Sequence, residues 1–127
     1  MSNVATSQAA YRRGTVLSAT PGELVVMLYD GARRFLRQGA VAMRAGEIER
    51  AHNTLRRGER IIGYLDGTLD FEQGELPRLL HANYAFCLAH LNTARLGQDP
   101  TKVEEVSELL GELREAFSQA AAEVERG

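Results

Sequence analysis

The sequence predicts an all-α protein, an antiparallel up-down-up-down four-helix bundle with a short N-terminal lid segment. Three observations lead there. Alanine, leucine, glutamate and arginine dominate a 127-residue chain with only three prolines and no tryptophan, a composition that favours helix over strand. Four segments repeat apolar residues at intervals of three and four. Two of these segments open on Thr20-Pro21 and Asp99-Pro100, each pairing a capping side chain with a proline whose missing N–H costs nothing at the first helical position.

In chain order, residues 1–10 are small and polar without periodicity and read as a flexible tail. Residues 11–19 read as the lid of a single domain covering 11–127. The first helix is expected over 21–44, because Thr20 and Glu23 can form a capping box and Gly46 suits a left-handed C-terminal cap. The second, over 47–69, carries a seam of Ile48, Ala51, Leu55, Gly58, Ile62, Leu65 and Leu69. The third is expected over 75–96, with Pro77 tolerated in its first turn, and ends before Gly97-Gln98-Asp99-Pro100. The fourth, over 100–125, has a seam of Val103, Val106, Leu110, Leu113, Phe117, Ala120 and Val124. Short connections make neighbouring helices antiparallel. Gly31, Gly39, Gly58, Gly63, Gly67 and Gly111 each weaken a helix by up to ~1 kcal/mol relative to alanine. Close helix approach is the expected compensation.

Composition excludes several classes of function. No apolar run reaches the ~20 residues that span a bilayer, and the N-terminus lacks the basic-then-apolar pattern of a secretory signal. Neither membrane insertion nor secretion is expected, and the chain reads as cytoplasmic. The lone Cys87 lies in an apolar stretch and reads as a buried structural thiol. Residues 1–64 hold ten arginines against five acids, and residues 65–127 five bases against twelve acids. A basic helix pair beside an acidic one explains this asymmetry more simply than a nucleic-acid surface, because the arginines are not interleaved with exposed aromatics. Glu49 and His52 match the Glu-x-x-His spacing of di-iron bundles, but no second copy exists. No phosphate-binding loop, nucleophile elbow or Cys-x-x-Cys pair occurs. Neither a cofactor nor catalysis is expected.

The informative anomaly is surplus apolar surface. Leu24 to Tyr29 point apolar groups around the whole circumference of the first helix, and Leu79, Leu80, Tyr84, Phe86, Cys87, Leu88 and Leu91 cover well over half of the third. A helix apolar all round is either enclosed or awaiting a partner. Tyr11, Val16 and Leu17 of the lid are expected to cover part of this surface in the free protein and to give way to an amphipathic or extended segment.

The residues also resemble a known family. Ala10-Tyr11, Val16 to Leu24, and Met27-Leu28-Tyr29-Asp30-Gly31-Ala32 look like the opening signature of the FliS flagellar secretion chaperones. Gly46 to His52, Arg60-Ile61-Ile62 with Leu69-Asp70, Val103 to Val106, and Leu109 to Arg114 continue the likeness, which covers about residues 10 to 118. Asn83-Tyr84-Ala85-Phe86-Cys87 departs from the family's usual third-helix run, and Phe117 stands where a tryptophan is usual. The resemblance implies a cytosolic export chaperone that binds the disordered C-terminal segment of flagellin, prevents premature polymerisation, and aids delivery, as the flagellin complex, to the export gate protein FlhA. The flagellin-binding residues expected on this basis are Tyr11, Val16, Leu17, Val25, Val26, Met27, Tyr29, Ile61, Tyr64, Leu79, Phe86 and Leu88. Two other readings compete: a generic helical adaptor for another amphipathic client, and a metal-dependent bundle enzyme built on His52.

Overall fold

The computed structural model describes residues 18–126, without the side chains of 121 and 124–126. The expected tail, the lid residues Tyr11, Val16 and Leu17, and the side chain of Val124 lie outside that description. Four helices follow one another: α1 (Pro21–Arg44), α2 (Ile48–Gly67), α3 (Leu76–Gly97) and α4 (Pro100–Arg126). No strand occurs among the described residues.

Helix ends follow from local chemistry. Thr20 accepts from the Glu23 amide at 3.2 Å while the Glu23 carboxylate accepts from the Thr20 amide at 2.9 Å, closing the capping box. At the other end of α1, Gly46 takes φ +74°. Its N–H donates to the Met43 carbonyl and that of Glu47 to Ala42, a Schellman motif that satisfies two carbonyls of the last turn. The end of α3 repeats this geometry with Gln98 at φ 49° in the glycine position. Asp99 then caps α4 by accepting from the Thr101 and Lys102 amides.

Neighbouring helices run antiparallel, as the descending pairing of Leu36 with Gly58 and Gly31 with Ile61 shows for α1 and α2. Arg44 with Glu104 and Asp30 with Arg114 show it for α1 and α4. Glycines draw α1 against its neighbours. A Cβ on Gly39 would lie 2.6 Å from Leu55 Cδ2, and one on Gly58 would lie 2.9 Å from Leu36 Cδ2, so each glycine is the hole for the opposite helix's leucine. Gly111 of α4 likewise leaves room for the Arg33 guanidinium, which donates to the Ser107 carbonyl at 3.0 Å. Close approach therefore accounts for Gly39, Gly58 and Gly111, but not for Gly31, where a Cβ would meet Ile61 Cδ1 at an ordinary contact distance of 3.4 Å. Nor does it account for Gly63 or Gly67, beside which nothing lies within 4 Å.

The core consists of Tyr29, Ala32, Leu36, Ala40, Ala42 and Met43 of α1, Ala51, Leu55, Ile62 and Leu65 of α2, Leu80, Tyr84, Cys87, Leu91 and Ala94 of α3, and Val103, Val106 and Leu110 of α4. Five expected seam side chains fall outside it, two of them, Leu113 and Phe117, half-buried against it. Ile48 is 63% exposed because the first turn of α2 extends past the end of the core, Leu69 follows the end of α2 and is half-buried, and Ala120 is exposed. Cys87 is buried and free, and burial raises its thiol to about 11.

Candidate functional site

The opening turns of α1 hold the densest apolar run in the chain, and the bundle uses it unevenly. Val25, Val26, Met27 and Leu28 are half-buried, and Leu24 is exposed. Tyr29 is fully buried and belongs to the core rather than to any surface of the free bundle. Its phenol is hydrogen-bonded to that of Tyr84 across the diagonal between α1 and α3, and its ring centroid lies 5.6 Å from that of Phe117. Burial pushes both phenols above their ordinary value. The placement follows from phase, since Tyr29, Leu36 and Met43 recur every seven residues on the inward face.

Between α1 and α2 the outer surface forms a shallow groove. Ile61 reaches over Gly31, whose hypothetical Cβ would lie 3.4 Å from Ile61 Cδ1. Met27 is one turn before Gly31 and Tyr64 is one turn after Ile61, so antiparallel packing sets these two at the same level along the groove. Tyr64 is 61% exposed. Toward the opposite end the same pair of helices forms a polar pocket of about 520 Å³, lined by Gln38 of α1 and Glu49, Arg50, Asn53, Thr54 and Arg57 of α2. The Arg57 guanidinium carbon lies 5.9 Å from the Phe35 ring centroid.

A second apolar area lies on α3. Leu79 and Phe86, seven residues apart on one face, are 60% and 52% exposed, and Leu76 is also exposed. Phe86 stacks on His90 at 4.9 Å, and His90 Nε2 lies 2.7 Å from Glu105 of α4. Leu88 belongs elsewhere. It is seven residues from both His81, which bonds Asp66 of α2 at 2.7 Å, and Arg95, which pairs with Glu59 of α2. It therefore faces the α2–α3 seam, half-buried against the core, as Val25 is on α1.

The expected site residues thus divide. Met27, Ile61 and Tyr64 fall at one level of the outer α1–α2 surface by helix register, and Leu79 and Phe86 share the outer face of α3. Val25 and Leu88 are seam residues, Val26 is half-buried on the opening turns of α1, and Tyr29 is core. Leu24, part of the apolar run noted on α1, is exposed, and Phe71 and Leu76 are exposed apolar residues that the sequence reasoning missed. Phe71 packs edge-on to His81 at 5.6 Å, in a loop where helical periodicity gives no signal.

The acids of the second half lie in α4, at its cap Asp99 and in residues 66–75 rather than in α3, which carries Arg78 and Arg95 and no acid. Arg44 makes two hydrogen bonds, at 2.6 and 2.9 Å, to Glu104 and holds that carboxyl below its ordinary value. Arg114 of the acidic α4 bonds Asp30 of the basic α1 at 2.9 Å. Among the described residues no three potential metal ligands converge, and no helix is long and apolar enough to cross a membrane.

This geometry, a glycine-tightened bundle with apolar surface left over, is matched by similarity along nearly the whole chain. The profile of the family described as flagellar protein FliS matches residues 2–124. The chain belongs to that family. It is 34% identical over 111 residues to a flagellar secretion chaperone FliS of Bacillus subtilis, covering 87% of this chain and 83% of the relative. Identity to the protein of the same name in Salmonella typhimurium is 35% over 112 residues, covering 82% and 78%. The Vibrio cholerae relative, also so named, is 31% identical over 122 residues, covering 92% and 90%. These FliS relatives are named as chaperones, and the family is one of binding proteins rather than enzymes.

Proposed function

We propose that this FliS family member is a cytoplasmic export chaperone that binds the disordered C-terminal segment of flagellin. It thereby prevents premature polymerisation and helps deliver flagellin, as the complex, to the export gate protein FlhA. The observation that carries this reading is the exposure of Tyr64, Leu79 and Phe86 along the helices of a bundle whose core is already complete without them. Large apolar side chains rimmed by charge mark an interaction surface. A disordered client loses conformational entropy on binding and needs a long contact, which apolar areas on two different faces of the bundle supply.

The test is isothermal titration of the protein with the C-terminal ~40 residues of a flagellin from the same source, a length matched to coupled folding over a long surface. Saturable one-to-one binding with a large negative heat-capacity change is expected. Tyr64→Asp and Phe86→Asp should each weaken it by about tenfold or more while the helical circular dichroism persists. Leu55→Asp, in the core, should instead lose the fold. Absence of saturable binding to the wild-type protein overturns the reading.

A further inference from the structure

The α1–α2 groove changes character along its length, and α2 carries that change in a regular way. Arg50, Arg57 and Tyr64 recur every seven residues, so they share one outward face of α2 and sit about 10.5 Å apart along its axis. All three are exposed. Around Arg50 and Arg57 the lining is Gln38, Asn53 and Thr54, with one carboxylate, Glu49. Near Tyr64, Ile61 lies half-buried one turn earlier on α2, over Gly31 of α1. Among the described residues Arg57 pairs with no carboxylate and its guanidinium lies 5.9 Å from the Phe35 ring centroid, while Arg50 reaches Glu47 only at 3.7 Å with 70% of its side chain exposed. Both guanidiniums are therefore available to an incoming anion at little cost in broken contacts.

We infer that this groove takes an amphipathic helix of the export client whose groove-facing stripe is acidic at one end and apolar at the other, with carboxylates seven residues apart meeting Arg50 and Arg57. The inference rests on the proposed chaperone function and adds to it a charge requirement that apolar contact does not impose. A helix fits better than an extended strand, because residues seven apart on a helix repeat the 10.5 Å spacing on one face. In a strand the side chains on one face recur in steps of about 6.6 Å, which does not match. Glu49 at the rim sets the register, since it repels a carboxylate one turn out of place.

The test is the same titration with the ~40-residue flagellin segment, a length suited to coupled folding, on the full chain at about 50 and 200 mM salt. It compares wild type with Arg50→Gln/Arg57→Gln, and the native segment with one whose Asp and Glu are replaced by Asn and Gln. Two exposed ion pairs should be worth roughly three- to tenfold in affinity at low salt, lost at high salt. The double variant and the neutral segment should each lose that factor, and together lose no more than either alone. Circular dichroism should be unchanged, since neither arginine is in the core. If wild type binds but the double variant shows the same affinity and salt dependence, the inference is overturned and the chaperone reading stands. If wild type does not bind, both fall.

Discussion

Glycines of similar sequence context should respond to alanine with opposite signs. At Gly63, in the interior of α2, a Cβ meets nothing within 4 Å. Alanine there gains the helix-propensity difference of about 0.5–1 kcal/mol without steric cost. At Gly39 the same Cβ lies 2.6 Å from Leu55 Cδ2 and 2.9 Å from Leu55 Cγ. Leu55 is fully buried, so moving its branch point displaces core neighbours or separates α1 from α2. Overpacking of this kind costs about 1–3 kcal/mol, which outweighs the propensity gain and leaves Gly39→Ala destabilised by roughly 0–2 kcal/mol. The two variants should therefore differ by about 1–3 kcal/mol, or some 3–10 °C in melting temperature for a chain of this size. Urea and thermal unfolding of both variants against wild type is the assay. A Gly39→Ala protein stabilised as much as Gly63→Ala would show that the α1–α2 contact has slack, and would sink the claim that glycine sets the helix spacing.

Tyr84→Phe leaves the buried Tyr29 hydroxyl without its partner and should cost about 1–3 kcal/mol, whereas Tyr29→Phe/Tyr84→Phe should recover most of that loss; equal costs for single and double variants would count against the pair. Both phenols titrate higher in the fold than the ordinary value of 10.0, so the folded state holds more protons above that pH and wild-type stability should fall as pH rises past about 10, less steeply in the double variant. Gln98→Gly should stabilise by up to about 1 kcal/mol, because Gln98 sits at φ 49° where a Cβ is strained; an unchanged unfolding midpoint would mean its hydrogen bond to the Arg95 carbonyl, at 2.9 Å, offsets the strain.

The bundle was legible because its signals are local and redundant. Thr20 with Glu23, Asp99 with Pro100, and the seams through Leu55–Ile62 and Val103–Leu110 each specify a helix and its inward face. What failed to show depends on the depth of the core rather than on period. Ile48 is in phase with Leu55 and Ile62 yet protrudes, because periodicity carries no information on where the opposing helices end. Tyr29 is the reverse case. Its place in a continuous apolar run concealed it, although the seven-residue spacing to Leu36 and Met43 was a usable signal for core. Leu88 lay in the same ambiguity, and only its phase with His81 and Arg95 separates it from Phe86. Among the interior glycines, sequence identified the residues but not the holes, since a hole requires a leucine on the facing helix at the same level.

A chaperone of the kind proposed must keep apolar surface available without letting it compete with its own core, and α2 shows how one helix can do both. Leu55, Ile62 and Leu65 occupy the inward face, while Arg50, Arg57 and Tyr64 follow their own seven-residue repeat on the outward one. Separation by phase means that the residues fixing the fold and those offered to a client are largely independent, and substitutions on the two faces should add in their effects on stability. The arginines in the outward repeat have a further consequence. They place two positive charges beside Gln38, Asn53 and Thr54, which discourages contact between two copies of the chain that would oppose these ends. A client that brings carboxylates to Arg50 and Arg57 meets no such penalty, so the same two side chains that resist self-association favour the proposed partner.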